Sequence, residues 1–250
     1  MNQTRPDNQP DPTSYWADLF DTQVEKYPDD AVKALNFSNT RLMNQVHWEV
    51  LSCIDWSQLF SGDHLLDTGC GTGVLLNRLV SSIGGGPTLF CHATDISRGM
   101  LHKARAAVEQ KISDRNRCRF YCMSVDHMGF RNRLFSLVLA SESLQYTDPY
   151  AAILELIRMT RKNGQVIISI PNIRSPFIQK AIQKHEGRFS GIDFKKAAEL
   201  IRPKVGGFKV KPLLFGEDQT TAPYLSKKLV PDLTPEEIQA ANRFILRFVI

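Results

Sequence analysis

Apolar positions fall into two registers along this chain. Between Tyr15 and Ile54 they recur at helical spacing, first Trp16, Leu19, Phe20 and Val24, then Leu42, Val46, Val50 and Ile54, with a break at Tyr27-Pro28-Asp29-Asp30. From His64 onward, short apolar runs bounded by Gly, Asp and Asn alternate with amphipathic stretches. The runs predict strands at His64–Leu66, Thr88–Ala93, Arg119–Met123, Ser136–Ala140 and Gln165–Ile170. Helices are expected near Val74–Val80, Gly99–Gln110 and Tyr150–Thr160. Strands separated by helices at this spacing argue for βαβ units, and so for an α/β fold with a parallel sheet covered on both faces.

Past Pro171 the periodicity weakens. Ser175–His185 and Asp193–Ile201 read as basic helices, Gly206-Gly207 as a turn and Phe208–Phe215 as a strand. Thr234-Pro235-Glu236-Glu237 supplies an N-cap, a proline at the first helical position and acids in the first turn, so a helix is expected to start there. The chain from Phe244 to Ile250 is apolar and is expected to be tucked in.

Composition narrows the class without naming a function. At 250 residues, 42% hydrophobic and 23% charged, a disordered, collagen-like or coiled-coil chain is excluded. Five scattered cysteines with no CxxC pair suggest a reducing, cytoplasmic setting and no metal site. The polar start, Met1 to Ser14, lacks the pattern of a signal peptide, and no apolar run approaches a membrane span, so a soluble protein is expected.

The chemically informative stretch is His64-Leu65-Leu66-Asp67-Thr68-Gly69-Cys70-Gly71-Thr72-Gly73. Alternate glycines let the backbone turn sharply and approach a ligand, while the helix beyond offers unpaired N–H groups. A pyrophosphate would meet the carboxylate of Asp67, so a ligand with a cationic amine suits the loop better. Asp95 closes the second predicted strand 22 residues after Gly73, near the spacing of about 20 at which an acid bonds ribose hydroxyls in such sheets.

The run Asp67–Gly73 resembles the first motif, D-x-G-x-G-x-G, of class I S-adenosylmethionine-dependent methyltransferases. Asp95-Ile96-Ser97-Arg98-Gly99-Met100-Leu101 is similar to the family's D-x-S-x-x-M-L, and Met123 to Phe130 looks like its G-D-A-E-x-L-P-F. Leu134 to Tyr146, running on to Gly164, resembles F-D-x-V-x-S-x-x-x-L-Q-Y followed by L-x-E-x-x-R-V-L-K-P-G-G, as in ubiquinone/menaquinone and malonyl-carrier-protein methyltransferases. The resemblance covers roughly residues 61–172. It implies a Rossmann-like, doubly wound, mostly parallel seven-stranded sheet with an N-terminal helical cap. The corresponding division is 1–60 for the cap, 61–172 for the cofactor core and 173–250 for a substrate-side part of the same domain.

The implied cofactor is S-adenosyl-L-methionine. Asp67, Gly69, Cys70, Gly71 and Gly73 would hold its amino-acid end, Asp95 its ribose, and Ile96 and Met100 would line the adenine slot. Ser124 stands where most relatives carry the Asp that bonds the adenine amino group, which leaves three readers open: the Ser124 hydroxyl, Asp126, or the backbone of Val125. Ser141 borders the methyl-transfer site, and Tyr15, Glu142 and Tyr146 are the substrate-side candidates. Asn163-Gly164-Gln165 in place of P-G-G still reads as a helix stop and turn. Trp48 and Trp56 are expected to pack on an apolar stripe, whereas Tyr15 and Trp16 are expected in a lid.

Methyl transfer to an oxygen or carbon of a small molecule is the implied reaction. An RNA methyltransferase, or a protein of this fold that binds the cofactor without transferring methyl, is the alternative. The segment after the fourth strand lacks the Asn/Asp-Pro-Pro-Tyr/Phe signature of amino-methylating enzymes, which argues against nucleic acid. The charge sharpens the substrate question. Residues 1–60 hold four basic against nine acidic side chains, while Arg158–Lys211 holds thirteen against three. That basic segment is read either as a solvated face or as a site for an anionic substrate, or for an acidic carrier protein delivering one, with Lys195 and Lys196 as the test positions.

Overall fold

The computed structural model describes residues 12–27, 38–83, 88–111, 117–214, 225–226 and 228–250. The leader before residue 12, the break at Pro28-Asp29-Asp30 and Phe215 therefore lie outside the described residues. Five strands run parallel in the order of a doubly wound sheet: β1 (His64–Thr68), β2 (Phe90–Asp95), β3 (Cys118–Cys122), β4 (Phe135–Ser141) and β5 (Thr160–Pro171). Beside them stand β6 (Gly207–Leu214), the two-residue β7 (Leu225–Ser226) and β8 (Arg243–Val249). The full order is β3-β2-β1-β4-β5-β8-β6-β7, with β8 antiparallel to both neighbours. The expected seven strands are thus present, with β7 as a short addition at the edge.

Alternation along each strand builds a core on both faces. Leu65, Leu137, Leu139, Ile167 and Ile245 point to one side. There they meet α2 (Ser38–Ser52), α3 (Val74–Ile83) and α4 (Arg98–Glu109) through Val46, Val50, Leu76 and Ala104. Leu66, Val138, Ile168, Phe244, Leu246 and Phe248 point to the other. They pack on α5 (Pro149–Met159), α7 (Phe194–Ile201) and α8 (Pro235–Ala240). Each such apolar side chain taken from water contributes about 1.5–3 kcal/mol. An ion pair between Glu49 on α2 and Lys211 on β6 fastens that helix to the sheet.

Two expectations are corrected. The helix expected to start at Thr234 does so, with a capping box, and stops at Ala240, and the apolar tail is tucked in as expected, as the strand β8. Its bulky residues are buried on both sides, leaving no polar face for a helix to show to water. The helix stop expected at Asn163 comes earlier: α5 ends at Met159, and Asn163, at φ +62°, lies in an irregularity of β5 between the Phe135–Thr160 and Leu137–Gln165 pairs. Trp48 is 57% exposed and Trp56 38%, so neither packs on the buried stripe; Trp48 instead lies 5.1 Å from the Arg78 guanidinium.

In this order β1 has β2 on one side and β4 on the other, so the loops leaving their carboxyl ends diverge and open a crevice. Above it lies α1 (Pro12–Gln23). Among the described residues no helix is long and apolar enough to cross a membrane. Four of the five cysteines are buried, Cys122 is exposed, and all are free.

Candidate active site

The loop from β1 to α3 needs glycine for two separate reasons. Gly69, Gly71 and Gly73 take φ of +65°, +53° and +81°, the left-handed region that a side chain disfavours. Gly69 and Gly73 also lie against neighbours: a Cβ at 73 would stand 3.0 Å from Ala104 of α4. Cys70 N–H donates to the Thr94 carbonyl at 2.9 Å, and Gly71 N–H to Asp95 Oδ2 at 2.8 Å, which pins the loop to the end of β2. Ser97 N–H donates to the other Asp95 oxygen at 2.9 Å. A carboxylate has about four lone-pair sites, so Asp95, at the cavity wall, keeps acceptor capacity for a ligand. Burial raises its pKa.

Asp67 lies beneath the loop and does not line the cavity. It is 1% exposed, and its Oδ2 has no hydrogen-bond partner. Burial, with the Asp95 charge adding to it, pushes its pKa up to about 8. A buried carboxyl without a counter-charge is a poor structural element and a good complement to an ammonium group.

On the other side of β2, Ile96, Met100, Ser124 and Val125 line the cavity. Asp126 does not. Ser124 Oγ donates to its Oδ1 at 2.6 Å, and the Thr147 hydroxyl donates to its Oδ2. Burial works against ionisation of Asp126, but these two bonds, with smaller help from its own backbone N–H and a nearby charge, leave the pKa low. Of the three candidate adenine readers, Ser124 and Val125 therefore reach the cavity, with Asp126 holding Ser124 from behind.

Beyond β4 the chain turns through Glu142, whose φ of +53° is left-handed without glycine. Glu142 N–H bonds the Ser169 carbonyl at 3.0 Å, its Oε1 accepts from Ser169 Oγ at 3.2 Å, and its Oε2 accepts from Arg243 Nε at 3.0 Å. Ser141 Oγ lies 3.1 Å from the same Ser169 hydroxyl. The Glu142 and Arg243 side chains are only 8% and 6% exposed, and both residues line the cavity. Tyr146 lines it too, its ring edge-on to Trp16 and Phe20 at 4.7 and 5.1 Å. Burial pushes the Tyr146 phenol up, so it stays protonated and can donate a hydrogen bond.

Helix α1 straps this region. At one end Asp21 accepts from Ser97 Oγ at 2.5 Å and Gly99 N–H at 2.9 Å, at the start of α4. At the other, Trp16 Nε1 donates to the Arg188 carbonyl at 3.3 Å. Phe20 and Tyr27 face the cavity. Trp16 is 2% exposed and backs the wall, whereas Tyr15 lies off the cavity, its hydroxyl 3.3 Å from His185 Nδ1.

The cavity so enclosed has a volume of about 660 Å³, ordinary for a small-molecule site. Four contributors were not legible as site residues: Asn44 and His47 on α2, and Lys180 and Lys184 on α6 (Pro176–Lys184). Arg243 is a fifth, standing just before the stretch that read as an apolar tail. Lys195 and Lys196 lie on α7 and do not line the cavity; Lys196 sits 4.0 Å over the Tyr150 ring instead. The basic segment thus divides, and only α6 turns its lysines to the site.

Residues 65–164 match the methyltransferase-domain family. Aklanonic acid methyltransferase of Streptomyces sp. (strain C5) is 26% identical over 145 residues, 53% of this chain and 64% of that protein. The chain therefore spans less than two thirds of that relative's length. Among solved structures, an S-adenosylmethionine-dependent methyltransferase of Thermotoga maritima, described as a possible histamine N-methyltransferase, superposes with a TM-score of 0.62 at 16% identity. The match covers 93% of this chain and 98% of that one. Magnesium protoporphyrin IX methyltransferase of Synechocystis PCC 6803, with bound S-adenosylhomocysteine, gives 0.62 at 15% identity, covering 96% and 100%. At these identities the structures speak for the fold.

Proposed function

We propose that this chain, whose residues 65–164 match the methyltransferase-domain family, is a class I S-adenosylmethionine-dependent methyltransferase and that it methylates an oxygen or carbon of a small, anionic molecule. The observation that carries this reading is one cavity shared by two kinds of wall. The glycine loop, Asp95 and Ser124 form the first, and Phe20, Tyr146, Phe189, Lys180 and Lys184 the second.

The residues present fit the cofactor. The buried Asp67 carboxyl would complement its ammonium charge from beneath the glycine loop, and the spare lone pairs of Asp95 suit two ribose hydroxyls. Ser124 and the Val125 backbone would read adenine, with Ile96 and Met100 against its faces. When bound, the sulfonium supplies an already activated methyl group. What remains for the protein is to hold a nucleophile in line and keep water out, and orientation alone can contribute about 7–11 kcal/mol.

The aromatic rings of Phe20, Tyr146 and Phe189 exclude water from the transfer region. The Tyr146 hydroxyl is suited to orient an acceptor oxygen by donating to it. Glu142, fixed by Arg243 and Ser169, shapes the floor beside it. Tyr15 would act on the strap through His185 and not on the acceptor. The lysines of α6 favour an acceptor carrying negative charge, in agreement with a relative named for an acid.

The test is transfer of labelled methyl from S-adenosylmethionine into the small-molecule fraction of a cell extract. Label in that fraction, enriched among acidic compounds, is expected. Label confined to RNA, or no binding of S-adenosylhomocysteine, would overturn the reading.

A further inference from the structure

The glycine loop, Asp95 and Asp67 account for the amine and ribose of the cofactor but leave its carboxylate without a partner. Helix α2, outside the residues matched to the family, offers one. Its cavity-facing side carries Asn44 and His47. Behind them Arg78, in the second turn of α3, donates Nη1 to the Asn44 carbonyl at 3.1 Å and Nη2 to Asn44 Oδ1. With Trp48 stacked on its guanidinium, Arg78 fixes a positive charge at this wall. Because α3 is the helix that the glycine loop opens, the wall belongs to the amino-acid end of the site.

The state of His47 follows from its surroundings. Burial first and the Arg78 charge second push its pKa down to about 3, so the ring is neutral. Its Nδ1 is shut away from solvent with no partner among the described residues. A buried N–H left without an acceptor is avoided more strongly than an acceptor left bare. The proton therefore belongs on Nε2, which makes His47 a hydrogen-bond donor and not a base. A donor backed by a fixed cation selects an anionic oxygen.

We propose that His47, through Nε2–H and with Arg78 behind it, receives the carboxylate of the cofactor's amino-acid end. This rests on the cavity being a cofactor site, and the experiment separates the two claims. Titration calorimetry compares S-adenosylhomocysteine with 5′-methylthioadenosine, which lacks the amino and carboxyl groups. His47→Leu is expected to weaken the first about tenfold and leave the second unchanged. His47→Gln, whose amide N–H sits near the Nε2 position, should keep affinity within about threefold, while His47→Asn should not. Equal weakening of both ligands by His47→Leu, or of neither, overturns the proposal, as does failure of His47→Gln to rescue. If the wild type binds neither ligand, the cofactor reading itself fails; if it binds 5′-methylthioadenosine as tightly as S-adenosylhomocysteine, only the subsite does.

Discussion

Gly69 and Ser143 are packed so closely that a Cβ at position 69 would stand 2.2 Å from the Cβ of Ser143. The loop leaving β1 and the segment leaving β4 are therefore one unit: the piece that would hold the cofactor cannot move without the piece beside the acceptor. Gly69→Ala adds an overpacking cost of about 1–3 kcal/mol to the strain of φ +65°. Lower thermal stability and loss of S-adenosylhomocysteine binding are expected. Ser143→Gly in the same chain should recover part of both, whereas Ser143→Ala, which keeps the Cβ, should recover neither.

Asp67 gives the site a proton to release. With its pKa near 8 in the folded protein, it is largely protonated at pH 7, and a ligand ammonium on the cavity side of the loop that covers it would favour the charged form. Calorimetry at pH 7 in buffers of different ionisation enthalpy should show protons released by Asp67 on binding, and Asp67→Asn should abolish that component. The sign for stability is the reverse of the usual carboxylate case. The folded pKa is raised above the unfolded value, so folding stability falls as pH rises from about 4 through 8. Asp67→Asn should flatten this slope in urea titrations of the ligand-free protein.

The Glu142–Arg243 pair joins the turn after β4 to β8 in a nearly dry setting. Arg243→Met leaves the carboxylate buried without this counter-charge, which costs about 3–5 kcal/mol. The double variant Glu142→Gln, Arg243→Met should lose clearly less than the sum of the single changes, measured by denaturant unfolding as a double-mutant cycle.

The basic segment offers a paired comparison. Reversing the charge of Lys180 and Lys184 should raise KM for the acceptor about tenfold with cofactor affinity unchanged, each lysine contributing on the order of 1 kcal/mol or less. The same reversal at Lys195 and Lys196, on α7, should leave KM where it was. Equal effects from the two pairs would mean that general surface charge, and not the cavity, attracts the substrate.

The glycine loop, Asp95 and the alternation of the sheet were legible because each is local: spacing alone determines the turn, the strand end and the two faces. Arg243 was not, because a charged residue ahead of an apolar run that could continue a helix or form a strand shows no direction until the sheet neighbours of that run are known. His47, Lys180 and Lys184 depend on how a helix rolls against the sheet, which a basic or mixed stretch leaves open. Trp48 could have been placed better from the sequence. It stands two residues from Val46, about 200° around a helix, and so on the face opposite the buried stripe. The adenine readers were narrowed only by the Asp126 carboxylate being taken up by Ser124 and Thr147.

The position of β8 bears on how this chain is made. β6 has no ladder to β5; it is joined to the sheet through β8 alone, with only the two-residue β7 on its other side. While the ribosome works through the residues that separate Leu214 from Arg243, the nascent β6 has no strand to dock on, and β5 presents an open edge to solvent or to a chaperone. Arg243, the partner of Glu142, is itself the first residue of β8. Arrest of translation before that point would leave a chain with its glycine loop complete and the Glu142 side of its cavity unassembled.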